Sequence, residues 1–242
     1  MDSQPVTATR VLTTLSRGRM DMKGLLPWGS NYTFLVYMEH DGLRLPAVYK
    51  PARGERPLWD FPDGTLYKRE AAAYVVSEAL GWGFVPPTVA RDGDEGPGSV
   101  QFFVDADPES HYFNFPEEEK ERLISVAAFD IIANNADRKG GHVLRDRQGE
   151  VWAIDHGLCF HTDPKLRTVI WDFAGQSIPD DTAESLRKFR DLLIPSSDLY
   201  ALLEQLLSPE EVTALRRRTD RLLRVGCFPQ PGGGRNYPWP PL

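Results

Sequence analysis

The chain has 242 residues, 41% of them hydrophobic and 26% charged, with a formal charge of −7. That is enough apolar material for one large domain or two lobes sharing an interface, and the acidic balance weighs against a protein that grips nucleic-acid backbones or an anionic membrane. No apolar run reaches the roughly 18 residues of a spanning helix, no secretory pattern opens the chain, and two distant cysteines, Cys159 and Cys227, make no disulfide framework, so a cytoplasmic setting is expected.

In chain order, residues up to Val104 read mostly as strands. Asn31 to Met38 and Leu43 to Lys50 are rich in β-branched and aromatic residues and flank Asp41-Gly42, a hairpin signal. A Pro/Gly/Asp-rich loop from Pro51 to Gly64 precedes a helical stretch opened by Thr65 as N-cap and closed by Gly81. "PPTVA" and "SVQFFV" read as two further short strands.

After Val104 the pattern changes. A polar connector leads to a helix from Pro116 to Ala133, on which Leu123, Val126, Ala127, Asp130 and Ile131 share helical spacing. "HVLRD" and "EVWAIDHG" form a hairpin around Arg147-Gln148-Gly149. Helices are expected over Asp181 to Leu193, over Ser197 to Leu207, and from Ser208, where serine, proline and glutamate stand at the N-cap, N1 and N3 positions. The basic cluster Leu215 to Arg224 reads as a solvated helix face. The organisation is α+β: a strand-rich lobe over 1–104, a helical lobe over 105–228, and a Pro/Gly-rich tail over 229–242 that can be neither helix nor central strand. A cleft between lobes is a usual place for a ligand.

Phosphoryl transfer asks a protein for a cationic clamp on the phosphates, carboxylate-held metal, and a carboxylate that receives or orients the attacking group. Lys50 ends the strand "PAVYK", and Glu70 lies in the next helix, placed to meet it. Gly29, Ser30 and Asn31 form a turn whose amides and hydroxyl could cradle phosphate, although only one glycine stands there. Asp137 follows the helix in "NNADRKGGHVL", and Asp155 follows the hairpin in "IDHG". Helix, Asp-containing loop, hairpin and Asp-x-Gly stand in the order kinases use. His156, Cys159 and His161, beside Asp155 and His142, match no closed zinc spacing, and no Gly-x-Ser-x-Gly elbow of a hydrolase occurs.

On these motifs the chain resembles the phosphatidylinositol 3-/4-kinase-like branch of the protein-kinase-like fold, whose loop reads Asp-Arg-x-x-x-Asn and is followed by Asp-x-Gly. Asn135-Ala136-Asp137-Arg138 is also similar to the loop of bacterial HipA-type kinases, and the whole resembles small actinobacterial phosphatidylinositol-kinase-like proteins over about residues 10 to 225. The resemblance implies a two-lobed fold that uses ATP and Mg²⁺. It implies that Asp137 orients or deprotonates the acceptor and that Asp155 holds the metal. Lys50 would bind phosphate, Glu70 would position Lys50, and backbone groups near Phe103 and Val104 would meet adenine. Arg138 would support the loop or neutralise developing charge. His142 departs from the family's asparagine, and imidazole favours Mn²⁺ or another transition metal over Mg²⁺. His142 is therefore expected to bind metal, to touch phosphate, or to mark a lost second metal site. The segment after Asp-x-Gly carries only Lys165 and Arg167 as cations, which points to a soluble protein or small-molecule acceptor. A nucleotide-binding pseudokinase and an AMP-transferring relative remain open on the sequence.

Overall fold

The computed structural model describes residues 6–26, 32–107 and 109–242. The N-terminal half is built on a five-stranded antiparallel sheet: β1 (Arg19–Leu25), β2 (Phe34–His40), β3 (Leu43–Pro51), β4 (Thr88–Gly93) and β5 (Gly96–Phe102), in the order β1-β2-β3-β5-β4. The Asp41-Gly42 pair makes the β2–β3 turn with positive φ at both residues, 44° and 73°, as a two-residue hairpin turn of the primed type requires. Along β3, Leu45, Ala47 and Tyr49 are buried in alternation, so Lys50 leaves the strand from the opposite face.

The buried face of the sheet is covered by a helix that the sequence reading missed, α1 (Ala8–Arg17). Its Val11 and Leu15 pack with Val36, Met38, Leu45, Ala47, Tyr49 and Val100. Only a narrow apolar stripe marks it, among threonines and serine that favour caps and turns over helix interiors.

α2 (Leu66–Ala79) follows β3, as expected, but Thr65 does not cap it. The Thr65 hydroxyl donates back to the Pro62 carbonyl, and the Glu55 carboxylate accepts the Leu66 and Tyr67 amides at 3.2 and 2.8 Å. A carboxylate from the preceding loop thus serves the positive end of the helix. Arg69 of α2 is buried: it donates to the Cys159 carbonyl at 2.7 Å and to Glu211 at 2.5 Å.

The helix expected from Pro116 onward divides in two: a 3₁₀ stretch over Glu117–Leu123, then α3 (Ile124–Ala133). Among the described side chains, Leu123 is the first buried one after Phe115, so packing anchors regular helix from about that point. The hairpin β6 (Val143–Arg145) and β7 (Val151–Ala153) follows, then α4 (Asp180–Leu192), α5 (Asp198–Leu203) and α6 (Pro209–Val225). α6 opens with the expected capping box: Glu211 N–H donates to Ser208 Oγ at 3.3 Å, and Ser208 N–H to Glu211 Oε2 at 2.9 Å. The basic cluster on α6 is solvated only in part. Arg217, Arg221 and Arg224 are exposed, whereas Arg218 turns inward and donates to the Ile132 and His161 carbonyls at 2.6 and 3.0 Å.

One large core joins α2, α3, α4 and α6, with Val76, Phe84, Phe129, Leu186 and Leu215 among its buried members. α2 lies in sequence between β3 and β4 of the sheet but contributes to the helical core, and that makes it a bridge between the halves. Among the described residues, no helix is long and apolar enough to cross a membrane. The tail forms neither helix nor strand; it lies along the loop after α3, where Gly140 N–H donates to the Pro241 carbonyl at 2.7 Å.

Candidate active site

Three elements bring charged side chains together where β3, α2 and the end of the β6–β7 hairpin meet. Lys50 Nζ lies 2.5 Å from Glu70 Oε1 and 3.1 Å from Asp155 Oδ1. Glu70, 3% exposed, also accepts the His156 amide at 2.9 Å, so one carboxylate ties β3 to the Asp-x-Gly segment. Burial opposes the charge on Lys50, but Asp155 and Glu70 outweigh it and hold its pKa well above the ordinary range. The same lysine pulls Asp155 far below the usual carboxylate range against the opposing effect of burial. Burial raises Glu70, while Lys50 and the His156 amide draw it back. Asp155 adopts φ 60°, a left-handed conformation that is uncommon outside glycine and tolerated best by Asp and Asn. It stores a small strain that the surrounding contacts must hold.

The loop after α3 is built by two asparagines. Asn134 ends the helix in the left-handed region (φ 53°, ψ 49°) and reaches across to the segment after Asp-x-Gly. Its side chain donates to the His161 and Asp163 carbonyls at 2.9 and 2.7 Å and accepts the Lys165 amide at 2.8 Å. Asn135 accepts the Asp137 amide at 3.0 Å and donates to Asp130 at 2.9 Å. Asp137 is left at the surface of this frame, its carboxylate 3.4 Å from Lys139 Nζ. Burial raises its pKa, Lys139 counters that, and the nearby Asp155 charge reinforces it.

Arg138 requires a correction. Its side chain is fully buried, with Nε and Nη2 on Asp130 at 3.1 Å and Nη1 on the Ile154 carbonyl at 2.8 Å. Its polar atoms are all turned inward onto the protein, so of the two roles implied for it, loop support is the one its geometry favours. Its Nη2 also lies 2.7 Å from His156 Nε2. A guanidinium can only donate, so His156 accepts there and carries its proton on Nδ1. Burial and the neighbouring Arg138 hold His156 neutral.

His142 Nε2 stands 3.2 Å from Asp155 Oδ2. Burial lowers its pKa to about 4, which leaves a neutral imidazole at pH 7 beside the carboxylate. Among the described residues no cluster of three or more His, Cys, Asp or Glu could hold a metal by itself. Asp155 and His142 therefore supply an incomplete set. One carboxylate oxygen and one imidazole nitrogen would leave a cation's remaining positions to phosphate oxygens and water, and the imidazole would tilt the choice from Mg²⁺ toward a transition metal.

At the sheet edge, Phe103 and Val104 run past the end of β5. The Phe103 amide is already given to the Pro46 carbonyl at 3.1 Å, so it is not a donor for adenine; the Val104 amide has no protein acceptor among the described residues. Gly29, Ser30 and Asn31 lie outside the described residues. A cavity of about 210 Å³ opens beside the cluster and not over it, between the 52–64 loop and Leu66, lined by Glu55, Arg56, Phe61 and Asp63 among others.

The sequence expectations gave no role at the site to Asp130, Asn134, Asn135, Lys139, His156 or Thr168. A signal existed for three of them. Asp130 is a charge on an otherwise apolar helix face, and paired asparagines after a helix favour a left-handed cap.

The arrangement is that of a protein kinase fold. It is similar to the crystal structure of a Helicobacter pylori proinflammatory kinase, CtkA, with a TM-score of 0.54 and 12% identity over 88% of this chain and 94% of that one. The chain belongs to the family of Protein Rv2133c from Mycobacterium tuberculosis, with 39% identity over 261 aligned positions covering 93% of each. It is also 29% identical over 187 positions to phosphatidylinositol 4-kinase gamma 4 of Oryza sativa subsp. japonica, and 29% identical over 153 positions to the protein of the same name from Arabidopsis thaliana. These alignments take in 66% and 51% of this chain but only 32% and 26% of the plant proteins. No family model matches the chain.

Proposed function

We propose that the chain is an ATP-dependent phosphotransferase whose acceptor is a soluble protein or small molecule. The observation that carries this reading is the contact of Lys50 with Glu70 at 2.5 Å and, across the two halves, with Asp155 at 3.1 Å. Such a lysine, held by a helix glutamate and facing an Asp-x-Gly aspartate, is what a triphosphate needs.

In this reading Lys50 binds phosphate oxygens and Glu70 fixes its position. Asp155 and His142 would hold a divalent cation, whose chemistry is to neutralise phosphate charge. Asp137 orients an acceptor hydroxyl. The acceptor oxygen bonds to the γ-phosphorus as the bond to the β,γ-bridging oxygen breaks, Asp137 receives the hydroxyl proton, and ADP leaves. Lys139, 3.4 Å from Asp137, is placed to meet the charge of the group in flight. Val104 N–H serves as a donor to adenine.

A phosphoinositide acceptor is disfavoured because one of the two cations after Asp-x-Gly is engaged: Lys165 pairs with Asp60 at 2.8 Å and lies over the Trp59 ring. A second reading, a nucleotide-binding module without turnover, draws on His142 where the resemblance has an amide. The two readings separate in one experiment. Purified chain is titrated with ATP and either Mg²⁺ or Mn²⁺ while the melting temperature is followed, and the γ-phosphate is tracked into acceptor or water. At a ligand concentration of 100 Kd, binding stabilises the native state by about 2.7 kcal/mol. A melting shift with label transfer supports the enzyme, a shift alone supports the silent module, and no shift with any nucleotide removes both.

A further inference from the structure

Four contacts hold the tail, one to the loop that carries Asp137 and three to Thr168 and Trp171 in the segment after Asp-x-Gly. Gly140 N–H donates to the Pro241 carbonyl at 2.7 Å, and Thr168 N–H donates to the Asn236 carbonyl at 3.1 Å. The same Asn236 carbonyl accepts the Trp171 indole N–H at 3.3 Å. The Tyr237 ring meets Trp171 edge-on, with centroids 6.5 Å apart. Asn236 is itself locked, its side chain closing a turn on Gly232 and Gly234 at 2.6 to 3.1 Å.

Both docking points belong to the site frame. Thr168 donates its hydroxyl to Asp130 at 3.0 Å, and its neighbours pair with the loop: Arg138 N–H to the Arg167 carbonyl at 3.0 Å, Val169 N–H to the Arg138 carbonyl at 3.1 Å. Gly140 lies between Lys139 and His142. A methyl at Gly140 would stand 2.6 Å from the Phe113 ring and 3.4 Å from Leu242, so connector and tail close on this glycine together. A backbone amide at such a position needs a fixed acceptor, and the tail supplies it.

We infer that residues 236–242 are a positioning segment of the phosphotransfer site: docked through Asn236 and Pro241, they fix the path from Lys139 to His142 and so the reach of both side chains toward Asp137 and Asp155. The tail touches no reacting atom; it acts through the loop. This inference rests on the phosphotransferase reading, but its structural half can be read without turnover.

The test uses the full chain carrying Asn236→Ala, which opens the tail turn, and separately Tyr237→Ala, which removes the ring that meets Trp171. Amide hydrogen exchange at Gly140 and Thr168 is measured beside kcat and the KM for nucleotide. Exchange at both amides should accelerate about tenfold, the loss of roughly one hydrogen bond's worth of protection. kcat should fall by a similar factor, with the nucleotide KM within twofold of the parent. Unchanged exchange overturns the docking. Faster exchange with unchanged kcat overturns the positioning role and leaves the tail a mere cover. A parent chain without turnover removes the phosphotransferase reading and this inference with it, whereas a parent that turns over while the variants match it removes this inference alone.

Discussion

Among the titratable side chains at the site, Asp137 and His142 are both pushed by burial toward their neutral forms. Asp137 is an acid whose charge the fold disfavours: burial raises its pKa above the ordinary 3.8. A carboxyl raised on folding binds its proton more tightly in the native state, so ionisation above that window destabilises the fold. Asp137→Asn should therefore raise the melting temperature at pH 7, by about 2–4 °C for each kcal/mol relieved in a chain of this size. The same variant should lower turnover by about 10²–10⁴-fold. In the parent, activity should fall as pH drops through a midpoint above 3.8, because the acceptor's proton needs an ionised aspartate. A variant both less stable and fully active would remove Asp137 from the chemistry. His142, neutral at pH 7 and 3.2 Å from Asp155, offers nitrogen where an amide would offer oxygen. His142→Asn should shift the metal profile from Mn²⁺ toward Mg²⁺, read as the ratio of turnover with the two ions. An unaltered ratio would show that the imidazole is no ligand.

At the scale of elements, the loop after α3 is held by a buried ion pair. Asp130 receives Arg138, Asn135 and the Thr168 hydroxyl, and neither it nor Arg138 is exposed. Removing one partner strands the other charge, so Asp130→Ala should destabilise the chain by about 3–5 kcal/mol in urea unfolding. The double change Asp130→Asn with Arg138→Gln should cost less than the sum of its parts. A cost under about 1 kcal/mol for the single change would mean the loop is held by something else. The hairpin at Asp41-Gly42 and the capping box at Ser208 were legible because their contacts lie within a few residues. Asp137, Asp155, Lys50 and Glu70 could be placed from the order of elements alone. What escaped the sequence is long-range. The cap of α2 comes from Glu55, 11 residues before Leu66, and Arg138 is claimed by a carboxylate one helix turn inside α3. The amphipathic stripe of α1 is too narrow to announce itself among polar neighbours.

Across the whole molecule, Arg69 ties the bridge helix to the last one. It donates to Glu211 of α6 at 2.5 Å and to the Cys159 carbonyl at 2.7 Å, while its helix neighbour Glu70 holds Lys50. Glu211→Gln keeps the glutamine-tolerant capping box but discharges the partner of Arg69. It should lower stability by about 1–3 kcal/mol and weaken nucleotide affinity, although Glu211 touches nothing at the site. Affinity that stays constant while stability falls would show that α2 is positioned independently of α6.

The anchoring of Arg69 has a consequence for control. Kinases that are switched by swinging this helix outward rely on a hinge that gives cheaply. Here an outward swing would tear a guanidinium from a carboxylate inside the protein. That is a penalty of several kcal/mol, more than most modifications or small effectors can repay. An effector that moved α2 outward would have to offset that penalty.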